Sequence, residues 1–174
     1  VENITDNQAE MYNASVENIK SYLVNEKWKT IDPVVVDSKN APCKEVILKG
    51  ADADLSRFPW VKNNPDDGGQ YISAGSFIMQ DPELGRNVGT YRMQVKGPHK
   101  TGSYFTNQSH GYRFITRAGD RGEDKVDVAV AVGIDPISWM MSSTRLADLG
   151  EDEFAVAGGF RGKPVELVKC ETSD

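Results

Sequence analysis

The alternation of apolar and polar positions divides the chain at about residue 34. Over residues 8–28, Met11, Ser15, Ile19, Tyr22 and Leu23 recur at gaps of three and four, which predicts a helix with a mostly apolar stripe. Asp6 is the expected cap, and Asp32-Pro33 stops the helix because a residue before proline avoids helical backbone. The stripe is expected to pack on the sheet that follows. From Val34 onward short β-branched runs replace it: Val34–Val36, Val46–Leu48, Tyr71–Met79, Val88–Val95, Val126–Ile134 and Val165–Val168. Turn-forming clusters separate them, among them Asn63–Gly69, Asp81–Gly85, Lys96–Pro98 and Gly119–Gly122, with a hairpin expected at Asp81–Gly85. Many short strands between such turns predict a largely antiparallel sheet or barrel. Two helical insertions are expected, around His110–Ala118 and Pro136–Leu146.

Composition narrows the class. With 39% hydrophobic and 26% charged residues among 174, the chain suits one folded domain, and no apolar run approaches the ~20 residues of a membrane helix. A net charge of −6 argues against nucleic acid as partner, because phosphate backbones need a positive face. Cys43 and Cys170 stand far apart without metal spacing and read as buried thiols of a reducing, cytoplasmic protein. The absence of an initiator methionine suggests a piece of something longer.

Three stretches carry candidate chemistry. In Arg86–Val95 an amide, a glycine and an arginine fall within one strand, where buried polar groups need partners and Gly89 would let a ligand approach the backbone. An exposed edge strand with a salt-bridged arginine fits equally well. Asn87 and Arg92, five residues apart, face opposite ways on a regular strand, so joint service to one ligand would need a twist or a bulge, which Gly89 makes easy. His110 lies in the polar loop Thr106–Gly111, whereas His99, in a basic turn, reads as solvated surface. Glu151–Gly159 places acidic residues before a small-residue run expected to enter a strand; a solvated acidic turn is the plainer alternative.

Taken together these stretches resemble the UbiD-type decarboxylases. The run Asp81-Pro82 through Gly85-Arg86-Asn87-Val88-Gly89-Thr90-Tyr91-Arg92-Met93-Gln94-Val95 is similar to the signature strand of that family. Asp66–Ile72, Ala131–Pro136, Asp152–Gly158 and Pro164–Thr172 match in order and spacing. The resemblance covers roughly Cys43 to Asp174. It implies an α+β fold: a mostly antiparallel split β-barrel, flavin-reductase-like, with an N-terminal helix and helical insertions. Residues 1–40 would form the helix and connector, and 41–174 the prenylated-FMN-binding domain, ending before the C-terminal catalytic and dimerisation region.

The resemblance also implies a site. Asn87, His110 and Glu153 would hold Mn2+ or Mg2+ against the phosphate of prenylated FMN, a hard donor set suited to such ions. Val88, Gly89, Thr90, Tyr91, Arg92 and Ser109 would line the cofactor, with Thr106 and Ser109 facing the reacting ring. Ser142, Ser143 and Arg145 resemble a K+ site. Arg92 matches the catalytic arginine that orients the substrate carboxylate with paired hydrogen bonds. The family's catalytic glutamates would lie beyond residue 174, so the 174-residue chain by itself is expected to be inactive. The implied activity is reversible non-oxidative decarboxylation of aromatic or α,β-unsaturated acids by a homo-oligomer. A non-catalytic binding module, or a subunit of a larger carboxylase complex, is the alternative.

Overall fold

Asp6–Asn25 forms helix α1, started by a reciprocal cap between Thr5 and Gln8 rather than by Asp6. It belongs to a computed structural model that describes residues 5–173. The strands are β1 (Val34–Val35), β2 (Tyr71–Ile72), β3 (Gly75–Asp81), β4 (Gly85–Thr90), β5 (Met93–Gly97), β6 (Lys100–Ser103), β7 (Val128–Val132) and β8 (Glu166–Leu167). The remaining helices are α2 (His110–Asp120), α3 (Pro136–Ser143) and α4 (Glu153–Arg161).

The architecture mixes helices with antiparallel sheets. One sheet has the order β4-β3-β7 and another β2-β5-β6, while β1 and β8 form a separate parallel pair. No closed barrel forms among the described residues. The two long strands expected at Tyr71–Met79 and Val88–Val95 are each broken in the middle. Ile72 pairs with Met93 in one sheet, Ser76 pairs with Thr90 in the other, and Tyr91 N–H still reaches Gly75 O. The breaks at Ser73-Ala74 and Tyr91-Arg92 therefore lie opposite each other, and both strands turn together from one sheet into the next. The change of direction between Asn87 and Arg92 comes from this corner. A bulge at Gly89 is absent: Gly89 pairs in register with Phe77.

The hairpin at Asp81–Gly85 forms as expected. Asp81 accepts the backbone N–H groups of Glu83 and Leu84, and Gly85 adopts a φ of 77°. Val46–Leu48 forms no strand. Those side chains are exposed, and short turns at Pro42–Lys44 and Gly50–Asp52 hold the segment away from any sheet edge. Cys43 and Cys170 are exposed, contrary to expectation, because both lie on irregular connecting backbone with no sheet or helix face to cover them.

Helix α1 packs on α4 and not on a sheet. Ile19, Tyr22 and Leu23 of the apolar stripe stay largely exposed, while Asn18 is fully buried. Its amide accepts from Lys29 N–H and donates to Lys29 O. Ser15 donates to Phe160 O. The reason lies in α4, where a strand was expected from the glycine-rich run. A methyl group on Gly158 would overlap the Ile31 carbonyl, and one on Gly159 the Lys29 carbonyl. The glycines let residues 29–31 lie directly on the helix backbone, and small or polar residues of α1 complete the seam. Two apolar clusters fill the rest: Val88, Met141, Phe154, Val156 and Phe160 between β4, α3 and α4, and Ile72, Phe77, Met79, Met93 and Phe114 between the sheets and α2.

Candidate functional site

Strand β4 and the beginnings of α2 and α4 meet around a cavity of about 250 Å³. Its wall contains Asn87, Val88, Gly89, Thr90, Tyr91, Ser109, His110, Ser142, Ser143, Arg145 and Glu153, so every expected site residue lies there except Arg92 and Thr106. Thr144 also lines it and was not anticipated. A larger groove, about 590 Å³, runs between β3, β7 and residues 167–170 and contains none of the expected residues.

Each polar group arrives for a local reason. Ser109 caps α2 by accepting Tyr112 N–H, which makes His110 the first residue of that helix. Asp152 caps α4 by accepting Phe154 N–H and pairs with Arg86 of β4, so Glu153 becomes the first residue of α4 and faces that strand. Glu153 accepts Val88 N–H at 2.7 Å through one oxygen, while the other lies 3.8 Å from His110 Nδ1. Asn87, beside Val88, is 2% exposed, and its Nδ2 has no hydrogen-bond partner. Two helix N-termini thus open on one cavity, an arrangement that favours an anion such as phosphate.

The electrostatics favour a cation beside it. Burial pushes the Glu153 carboxyl up to about 7 against the opposing effect of the Val88 N–H. Burial, followed by the charge of Arg145, lowers the basicity of His110. A buried carboxylate, a largely neutral imidazole and the amide oxygen of Asn87 suit a hard divalent ion, so the residues present fit the group. Among the described residues there is no cluster of three or more His, Cys, Asp or Glu side chains able to hold a metal; the set here has two of those types plus an amide.

On the opposite wall the hydroxyls form an ordered chain. Ser142 Oγ donates to Trp139 O at 2.8 Å and has contacts of 2.9 Å to Ser76 Oγ and 2.8 Å to Thr90 Oγ1. With its one proton committed, Ser142 accepts from both neighbours. Ser143, with one proton, reaches both Thr90 Oγ1 at 3.0 Å and Trp139 O at 2.9 Å. Ser76, fully buried behind this wall, escaped the sequence reading because a lone serine within a strand carries no motif.

Tyr91 closes the third side. Its ring packs edge-on against Phe77 and tilted against Phe105, and its hydroxyl accepts Gly111 N–H at 2.9 Å. A Cβ at Gly89 would come within 2.7 Å of this ring. The space beside Gly89 is thus filled by Tyr91 rather than left open for close approach of a ligand. Thr106 lies outside the cavity wall, its carbonyl receiving the Ser109 hydroxyl. Arg92 lies past the corner, half exposed, bonded to Asp67 and stacked on Tyr71. His99 is exposed as expected, with Nδ1 3.1 Å from Ala53 O. Among the described residues no helix is long and apolar enough to cross a membrane.

Comparison with known proteins identifies relatives of the chain. A family model described as UbiD, 3-octaprenyl-4-hydroxybenzoate carboxy-lyase Rift-related domain, matches residues 34–174. An anhydromevalonate phosphate decarboxylase of Methanothermobacter thermautotrophicus is 37% identical over 123 residues, covering 70% of this chain and 28% of the relative. The UbiD-class enzyme HmfF of Pelotomaculum thermopropionicum, in an evolved dimeric form complexed with prenylated FMN, superposes with a TM-score of 0.78 at 32% identity, over 95% of this chain and 38% of that one. Vanillic acid decarboxylase of Sedimentibacter hydroxybenzoicus in its closed form also gives 0.78, at 27% identity, over 99% and 35% of the respective chains. The chain therefore spans roughly a quarter to two-fifths of the length of these relatives.

Proposed function

Since the chain belongs to the UbiD carboxy-lyase family through its Rift-related domain, we propose that it is the cofactor-binding part of a non-oxidative decarboxylase acting on aromatic or α,β-unsaturated carboxylic acids. The observation that carries this reading is the convergence of Asn87, His110 and Glu153, from three separate elements, on one cavity. At about 250 Å³ that cavity suits a phosphate and an ion rather than a whole flavin. The two sheets and their shared corner are then one side of a split barrel, along which the ring system would extend.

When bound, prenylated FMN would supply the electron sink for loss of the carboxylate, and Mn2+ or Mg2+ would supply positive charge against its phosphate. In this chain Asn87, His110 and Glu153 would hold the divalent ion. The helix N-termini at His110 and Glu153 would face the phosphate, whose charge the ion offsets within an acidic protein. Oxygen atoms around Ser142, Ser143 and Arg145, beside Thr90 in the same wall, would accept K+. Val88, Gly89 and Tyr91 form an apolar flank that excludes water, and Arg92 orients the substrate carboxylate. The proton donor would come from glutamates outside this chain, in a homo-oligomeric full-length protein working in the cytoplasm.

The test is Mn2+-dependent retention of FMN by the 174-residue chain, followed by electron paramagnetic resonance of the ion and by flavin absorbance after desalting. Wild-type chain should retain both ligands together, whereas Asn87→Ala and Glu153→Gln should lose the ion and, with it, the flavin. Undiminished Mn2+ binding in both variants would overturn the site.

A further inference from the structure

Arg92 is held more firmly than an arginine with 47% side-chain exposure needs to be. Such a side chain in water samples many rotamers at a cost of about 2 kcal/mol when it is ordered. Here two contacts act on different parts of the group. Nη2 donates to Asp67 Oδ2 at 2.8 Å, and Cζ lies over the Tyr71 ring, 3.8 Å from its centroid. The first fixes where one edge of the group lies and the second fixes its tilt. Either alone would leave a rotation open.

Asp67 is itself well anchored, with 15% of its side chain exposed. Its Oδ2 also accepts Asn64 N–H at 3.1 Å, and its own N–H donates to Asn64 O at 3.0 Å. The next residue, Gly68, lies so close to Gln94 of β5 that a Cβ would sit 2.9 Å from Gln94 Nε2. Tyr71 pairs with that same Gln94 across β2 and β5. Anchor, ring and arginine therefore share one rigid frame, at the corner one residue past Tyr91 of the cavity wall.

The stoichiometry of the contact is informative. A guanidinium carries five N–H groups, and the hydrogen bond to Asp67 is the single one Arg92 makes among the described residues. A carboxylate that occupied the clamp as a rival would take two parallel N–H groups from one edge. Asp67 takes one, leaving a full edge of the fork without a protein partner. We propose that Asp67, assisted by the face of Tyr71, is a positioning residue that presents the open edge of Arg92 to a carboxylate ligand in one orientation. This rests on the reading of Arg92 as the carboxylate-binding group and adds the residue that aims it.

The test separates aiming from charge. Asp67→Asn removes the negative charge but keeps an acceptor oxygen for Nη2; Asp67→Ala removes both. The two variants carry equal charge and differ in the anchor. Benzoate is the probe, titrated into the 174-residue chain with the guanidinium 15N resonances of Arg92 as readout. Separate, slowly exchanging Nη signals are expected in wild type and Asp67→Asn, collapsing to one averaged signal in Asp67→Ala. Benzoate should bind Asp67→Ala about tenfold more weakly than Asp67→Asn, on the scale of the rotamer cost. Equal affinities in the two variants, or benzoate binding that leaves the Arg92 signals unmoved, would overturn the inference. Failure of the underlying reading looks different: Arg92→Lys would then bind benzoate as well as wild type.

Discussion

Replacing Asp81 with asparagine should destabilise the protein by about 3 kcal/mol at neutral pH, with a loss that depends on pH. The side chain is 1% exposed, at the hairpin between β3 and β4. Oδ1 accepts Glu83 N–H and Leu84 N–H, each at 3.0 Å. Oδ2 accepts Arg117 Nε at 3.1 Å and Arg121 Nη1 at 2.7 Å, both from the last turns of α2. Asparagine retains an oxygen for the turn but sets an NH2 group against two guanidinium donors. Two charge-assisted hydrogen bonds, about 1.5–3 kcal/mol each, are lost. The estimate stays at the low end because both guanidinium groups are about a third exposed, retain Glu83 and Glu123, and can rehydrate. Burial alone would raise the pKa of Asp81, but the hydrogen bonds from Arg117, the two backbone N–H groups and Arg121 outweigh it and hold the carboxyl well below the usual range. A depressed folded-state pKa means stabilisation that is complete above the unfolded value of about 3.9 and lost as pH falls through the folded one. Urea unfolding of wild type and variant at pH 7 should therefore differ by about 3 kcal/mol, or about 6–12 °C in melting temperature. The gap should narrow steadily below about pH 4. A gap under about 1 kcal/mol at pH 7, or one unchanged between pH 6 and pH 3, would refute the reasoning.

Under the proposed function, Arg92→Lys keeps the charge but loses the planar fork, so carbon dioxide release by a protein carrying this domain should fall by at least about a hundredfold while flavin absorbance and bound Mn2+ stay at the level without the substitution. Near wild-type turnover would remove Arg92 from the carboxylate role. Gly159→Ala should cost about 1–3 kcal/mol in urea unfolding because its methyl group meets the Lys29 carbonyl, whereas Gly119→Ala in α2, with open space around it, should be neutral or slightly stabilising. The 174-residue chain loaded with prenylated FMN should not release carbon dioxide from acrylic or aromatic acids at an enzymatic rate; robust turnover would show that the proton donor lies within residues 1–174.

What the sequence disclosed depended on where its signals came from. The cavity wall was legible because several ordered motifs specify it together: Asn87 through Tyr91, Ser109-His110 and Glu153 all line one cavity, although His110 taken singly reads as a structural histidine and Glu153 as part of a solvated acidic turn. The secondary structure around Glu153 was misjudged because glycine disfavours helix in isolation, and close packing of residues 29–31 against Gly158 and Gly159 overrides that preference. The buried face of α1 was missed for a related reason: its seam joins Ser15, at the edge of the expected stripe, to Asn18, which a search for apolar spacing passes over. The four-residue strand Lys100–Ser103 has no β-branched run and exists through its pairing with β5. Asp67 and Asp81 matter through partners 25 and 36–40 residues away, a relation that no local pattern encodes.

The facing breaks at Ser73-Ala74 and Tyr91-Arg92 have a mechanical consequence. At this junction two covalent backbones pass side by side between the sheets, so neither sheet can slide along the other without stretching peptide bonds. The freedom left there is flexure about the line joining the two corners, like a door on paired hinge pins. Tyr91 and Arg92 stand on that line, and points on an axis do not move when the panels swing. The backbone of Tyr91 and Arg92 is thereby insulated from breathing of the sheets on either side, while the guanidinium, tied to Asp67 and Tyr71, follows the sheet of β2 and β5.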